Sequence, residues 1–132
     1  MTATLIITDG INQKYLSVVR EKLTYCEYFK NLFKYNSSDQ ITINVSNITI
    51  YSYIILSIYN KQPSHDVSLE IIKCYDFFGL SFDTALLKNF VVAENNFDEL
   101  IDMIDIIGYT DGTIQLILKY LPKNYNLMDF PI

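Results

Sequence analysis

One histidine, His65, and two cysteines, Cys26 and Cys74, are the residues with the most obvious chemistry in this chain. Nucleophilic or general-base catalysis places a hydroxyl or thiol within hydrogen-bond reach of a base, most often histidine. His65 falls in the polar stretch from Lys61 to Asp66, which reads as a solvated loop. A zinc site takes about four Cys, His or carboxylate ligands at short spacings. Two distant thiols and one histidine do not supply that pattern. Asp98, Asp102 and Asp105 are spaced i, i+4 and i+7 and would share one helix face opposite an apolar stripe. Such a row suits a solvated face better than a cation site. Asp9-Gly10 and Asp111-Gly112 lack the glycine spacing and the lysine of a phosphate cradle, and turn chemistry accounts for both. The residues therefore imply a protein without catalysis, metal or cofactor.

Aromatic residues are the unusual feature, with 11 tyrosines and 8 phenylalanines. Tyr25, Tyr28, Phe29, Phe33, Tyr35, Tyr51, Tyr53 and Tyr59 all fall in the first sixty residues. Tyrosine is enriched at protein interfaces because it buries a large apolar area while keeping a polar tip. Phe29 and Phe33 are assigned to the core. Tyr25, Tyr28, Tyr35 and Tyr53, with Leu5 and Ile11 of the opening segment, are the candidate contact residues.

Charge narrows the partners. The net charge is -5, Arg20 is the lone arginine, and the lysines are scattered. Nucleic-acid binders need a Lys/Arg face to displace phosphate counterions, so none is expected here. No window approaches the roughly 20 apolar residues of a bilayer span, and the N-terminus lacks a basic stretch followed by a long apolar run. An intracellular protein with no membrane partner is expected, its cysteines reduced and buried.

The elements that position these residues are read from periodicity. Leu5 to Ile7 and Ile11 to Tyr15 flank the turn signal Thr8-Asp9-Gly10 and predict a hairpin. Leu16, Val19, Leu23 and Cys26, then Tyr25, Tyr28, Phe29 and Leu32, recur at helical spacing and predict two short helices broken around Thr24 to Glu27. Ile41, Ile43 and Val45 alternate with polar residues as a half-buried strand. Asn47 or Thr49 can cap a helix carrying Tyr51, Ile54, Ile55 and Ile58, and Ser64, Asp66 or Ser68 can start another that Gly79 stops. Helices are expected near 83–93, at 97–107 with Asn96 and Glu99 placed like a capping box, and at 112–121, the last two as an antiparallel pair. Val91-Val92 is ambiguous. The segment 124–132 is weakly patterned, as a linker would be.

Three strings then resemble the BTB/POZ family. VREKLTYCEYFKNLF (19–33) is similar to its helix followed by Tyr-Phe-x-x-Leu-Phe. IYSYIILSIYN (50–60) resembles the helix that ends in aromatic-Tyr-Thr-Gly, and LEIIKCYDFFGL (69–80) the leucine-rich helix before Ala-Asp-x-Leu. The wording of 44–80 in this Ile-, Asn- and Tyr-rich chain is similar to BTB domains of giant DNA viruses of amoebae, where the module commonly precedes WD repeats. The resemblance implies an α+β fold, a small mixed sheet flanked by short helices, as a BTB/POZ-like domain over 1–80. A helical extension over 81–132 resembles the start of the BACK repeat. It implies a protein-protein interaction module in the host cytoplasm, binding itself as a homodimer or a host protein. A cullin is one such partner, which would make the chain a ubiquitin-ligase adaptor. The family's Asp/Arg pocket pair falls on about Thr4 and Ser17. Its cullin-binding hydrophobic-x-Glu motif would fall in 35–40, where there is no glutamate. The chain also begins almost at the hairpin, without the strand-exchange arm of many members.

Overall fold

The computed structural model describes residues 1–62, 66–92 and 94–123. Strands β1 (Thr2–Thr8) and β2 (Gln13–Val19) form an antiparallel hairpin, and β3 (Gln40–Asn44) lies parallel to β1 on its other side. The sheet is mixed, with β1 central. Leu5 pairs with Leu16 on one side and Ile41 on the other, so side-chain alternation puts Ala3, Leu5, Ile7, Val18, Ile41 and Ile43 on one buried face. Thr4 and Ser17, the positions of the family's charged pair, are cross-strand partners and both uncharged.

The hairpin is longer than its sequence pattern suggested. Asp9 Oδ1 accepts the amides of Ile11 (2.8 Å) and Asn12 (2.7 Å), which makes 9–12 the turn and starts the return strand at Gln13. Leu16 and Val19 therefore belong to a strand and not to a helix. Their helical spacing was accidental, because pairing with β1 outweighs a local period. Only a 3-10 turn at Arg20–Lys22 follows, and Cys26 opens helix α1 (Glu27–Tyr35).

Helix α2 (Ile48–Tyr59) is capped by Asn47, whose side chain accepts the Ile50 amide at 3.1 Å. Tyr51, Ile54, Ile55 and Ile58 form its buried stripe. Helix α3 (Leu69–Phe77) is capped by Ser68, which accepts the Ile71 amide at 3.2 Å. Both helices end in the same motif. After α2, Lys61 N–H bonds Ile58 and Gln62 N–H bonds Ser57; after α3, Gly79 N–H bonds Asp76 and Leu80 N–H bonds Tyr75. This Schellman pattern needs a left-handed residue just past the cap. Gly79 supplies it at φ 67, whereas Lys61 supplies it at φ 54 despite its side chain.

The chain divides into two compact units, 1–65 with 74–81, and 66–73 with 82–132. In the first, an aromatic cluster joins α1, α2 and the end of α3: Phe78 lies 5.1 Å from Tyr28 and 5.4 Å from Phe29, and Tyr51 lies 5.3 Å from Phe77, centroid to centroid. In the second, helices α4 (Phe97–Ile107) and α5 (Asp111–Tyr120) share a core of Ile72, Leu87, Phe97, Leu100, Ile101, Met103, Ile104 and Ile117. The helix expected near 83–93 is a 3-10 turn at Thr84–Asn89, capped by Asp83, and Val91-Val92 forms no strand. The capping box expected at Asn96 is absent, as the Asn96 side chain accepts no helix amide; its Nδ2 donates back to the Val91 carbonyl at 2.7 Å. It forms instead at Thr110 and Thr113.

Candidate interaction surface

Tyr25 sits in the connection between the 3-10 turn and α1, with neighbours Leu23 and Cys26 buried and its own ring 55 % exposed. Residues 23–26 form a turn closed by the Cys26 amide donating to the Leu23 carbonyl at 3.0 Å, so its buried ends point inward while Thr24 and Tyr25 between them face out. Its hydroxyl donates to the Ile58 carbonyl, one of the α2 C-terminal carbonyls that lack an intrahelical donor. Burial, with Cys26 beside it, raises the Tyr25 phenol above its ordinary value and keeps it a neutral donor. Lys61 Nζ lies 5.5 Å from the centre of that ring.

Beside Tyr25 runs an open groove of about 510 Å³. Ile54, Ile58 and Leu80 provide aliphatic lining, and Ser57, Lys61, Gln62, Tyr75 and Ser81 complete it. Its walls are therefore the two Schellman ends of α2 and α3, facing each other across the groove. The Ser57 hydroxyl donates to the Gln62 carbonyl, closing the α2 end further. A second trough of about 650 Å³, which shares Tyr25 and Lys61 with the first, is lined by Glu21, Lys22, Thr24, Tyr25, Tyr59, Asn60 and Lys61. There Lys22 Nζ stands 4.5 Å from the Tyr59 ring centre, and the Tyr59 hydroxyl accepts the Val19 amide at 3.1 Å, capping the end of edge strand β2.

The other contact candidates lie apart from this groove. Tyr35 is 76 % exposed at the end of α1, and Ile11 is 89 % exposed at the hairpin tip. Tyr53 is exposed on α2, in line with exposed Leu56. Tyr28 is only partly open, being held against Phe29, Phe77 and Phe78. Leu5 is a core residue with no exposure and not a surface one, because it faces inward from the central strand. Tyr59 stands out by its type but is not among the contact candidates, and neither are Lys22, Lys61, Tyr75 and Leu80. The signal for them was the pair of helix ends, which a helical period marks but does not bring together.

Among the described residues no group of three or more His, Cys, Asp or Glu side chains is placed to hold a metal, and no helix is long and apolar enough to cross a membrane. His65 lies outside the described residues. Asp98, Asp102 and Asp105 are all exposed along α4. Cys26 and Cys74 are buried free thiols, and Cys26 Sγ donates to the Phe78 carbonyl at 3.6 Å.

No family model and no solved structure matches the chain. Similar sequences are found in Acanthamoeba polyphaga mimivirus. A BTB/POZ domain and WD-repeat protein is 37 % identical over 139 residues, covering 98 % of this chain and 26 % of the relative. A BTB/POZ domain-containing protein is 34 % identical over 137 residues, covering 96 % and 18 %. A second BTB/POZ domain and WD-repeat protein is 36 % identical over 140 residues, covering 96 % and 28 %. The chain thus spans less than a third of the length of these relatives, while the similarity runs through nearly all of its own residues, the α4–α5 region included. With its mixed α+β fold, the chain carries a BTB-like domain akin to those of the mimivirus BTB/POZ proteins.

Proposed function

We propose that this domain acts by surface burial, pairing with itself or presenting a partner-binding face through the hairpin, α1 and the Tyr25–Tyr35 segment, and that it performs no catalysis. Relatedness to BTB/POZ proteins supports a protein-interaction role in general. The single observation that carries the location is the exposure of Tyr25 and Tyr35 at the two ends of the α1 segment. Large amphipathic side chains left open on a small domain are what an interface core uses. Light scattering over a concentration series tests self-association. A mass that rises toward a dimer, and returns to a monomer on Ile11→Glu or Tyr35→Glu, supports it. A monomer at tens of micromolar would sink the homodimer.

The second reading, adaptor for a host cullin in the host cytoplasm, draws support from the second helical unit with its own core behind the BTB-like residues. Segment 35–40 lacks the family's glutamate, so contact would come from other residues of α1 and α2. Pull-down with purified host cullin tests it, and no retention at micromolar protein counts against it.

A further inference from the structure

We propose that the depression around Tyr25 is a docking site for an acidic linear peptide of a partner protein, one that sets a carboxylate next to an aliphatic side chain. The proposal rests on the interaction reading above and names the chemistry of the partner.

Shape comes first. The groove and the trough share Tyr25 and Lys61 in their linings, so the two clefts adjoin at these residues. Each lies in the range of about 300–1,000 Å³ typical of ligand-sized clefts, and two adjoining clefts suit a chain better than a compact small molecule. The aliphatic lining of Ile54, Ile58 and Leu80 asks for an apolar side chain to cover it.

Charge then selects the peptide. In a chain of net charge -5, the lining holds two cations, Lys22 and Lys61, and one carboxylate, Glu21. Glu21 already faces the Met1 ammonium at 3.3 Å. Each lysine ammonium stands over a tyrosine ring, Lys22 over Tyr59 and Lys61 over Tyr25, which keeps both cations at the rim instead of extended into water. Glu21, the carboxylate among these lining residues, is thus already engaged, and a carboxylate arriving there meets two positive groups. Two lysines are too few to track a nucleic-acid backbone.

The test uses the full chain as bait for a phage-displayed random peptide library, followed by titration of the selected synthetic peptides into the isotope-labelled protein by NMR. Expected are sequences rich in Asp or Glu beside Leu, Ile or Phe, amide shifts centred on Tyr25, Ser57, Lys61 and Leu80, and affinity that falls with added salt. Lys22→Ala combined with Lys61→Gly should weaken binding at least tenfold. Glycine suits the left-handed position of Lys61, so that variant keeps the helix end, and an unchanged spectrum elsewhere verifies its fold. Enrichment of basic or uncharged peptides, an unchanged affinity in the double variant, or no selected peptide at all overturns the proposal. Shifts centred instead on Ile11 and Tyr35 overturn it while leaving the broader interaction reading standing.

Discussion

Arg20 donates from Nη2 to the Ser38 carbonyl at 2.6 Å, and from Nη1 to the Asn36 carbonyl at 3.1 Å. The lone arginine of the chain is thus 8 % exposed, held by carbonyls just past the C-terminus of α1. A cation there meets the negative end of the helix dipole. The Phe33 ring, 5.2 Å from the guanidinium carbon, completes the seat. Arg20 therefore staples the end of β2 to the 36–38 connection that delivers the chain into β3.

Replacing Arg20 with methionine keeps an apolar stem and removes both bonds. The expected cost is about 2 kcal/mol, from the loss of charge-assisted hydrogen bonds and the exposure of two carbonyls. Arg20→Lys should recover only part of this, because an ammonium cannot span two acceptors with a planar fork. Urea midpoints of the three proteins check the order. Equal midpoints would mean that the staple contributes nothing.

Lys61 offers the opposite case, a residue whose replacement should stabilise. A side chain in the left-handed region costs on the order of 1 kcal/mol, which glycine avoids at a smaller entropic penalty. Lys61→Gly should raise the urea midpoint by the equivalent of about 0.5–1 kcal/mol with an unchanged m-value. A lowered midpoint would show that the Lys61–Tyr25 contact outweighs the strain.

The contrast between these residues shows what the sequence displays. Alternation in Ile41, Ile43 and Val45 is a local signal and appears as buried positions in and just after β3, and of the two caps offered, Asn47 and Thr49, the structure uses Asn47. Local signals also misled: Leu16 and Val19 kept helical spacing while pairing with β1 as a strand. The seat of Arg20 was not legible because its acceptors, at Asn36 and Ser38, are backbone carbonyls and leave no trace in residue type. The groove was hidden for a similar reason. Tyr25 stood out by type, yet Lys61 and Leu80 reach it only because two helices end at the same place.

Burial pushes the Cys74 thiol up to about 12. The unfolded chain gives up that proton near pH 9, so the contribution of the neutral thiol is full below that pH and is lost as pH rises toward the folded value. Between pH 8.5 and 10 the loss should be on the order of 1 kcal/mol. The raised Tyr25 and Tyr28 phenols act in the same direction. Cys74→Ala isolates the thiol: its urea midpoint should fall less between pH 8.5 and 10 than that of the parent protein. An identical fall in both would assign the alkaline loss to other groups.

Two helix starts in the second unit make a last, paired prediction. At α5, the Thr113 amide donates to Thr110 Oγ1 at 3.2 Å, and the Thr110 amide donates to Thr113 Oγ1 at 2.8 Å. Thr113 is 2 % exposed, so valine in its place would leave the Thr110 amide without its acceptor. Thr113→Val and Thr110→Ala should each cost about 1–2 kcal/mol. At α4, Glu99 occupies the matching position of a box that does not form, and contributes only its charge to the first turn. Glu99→Ala should cost no more than about 0.5 kcal/mol, falling further in high salt. Thermal melts of the three variants decide the comparison. A Glu99 variant as destabilised as the Thr113 variant would mean that α4 uses the box its sequence spells.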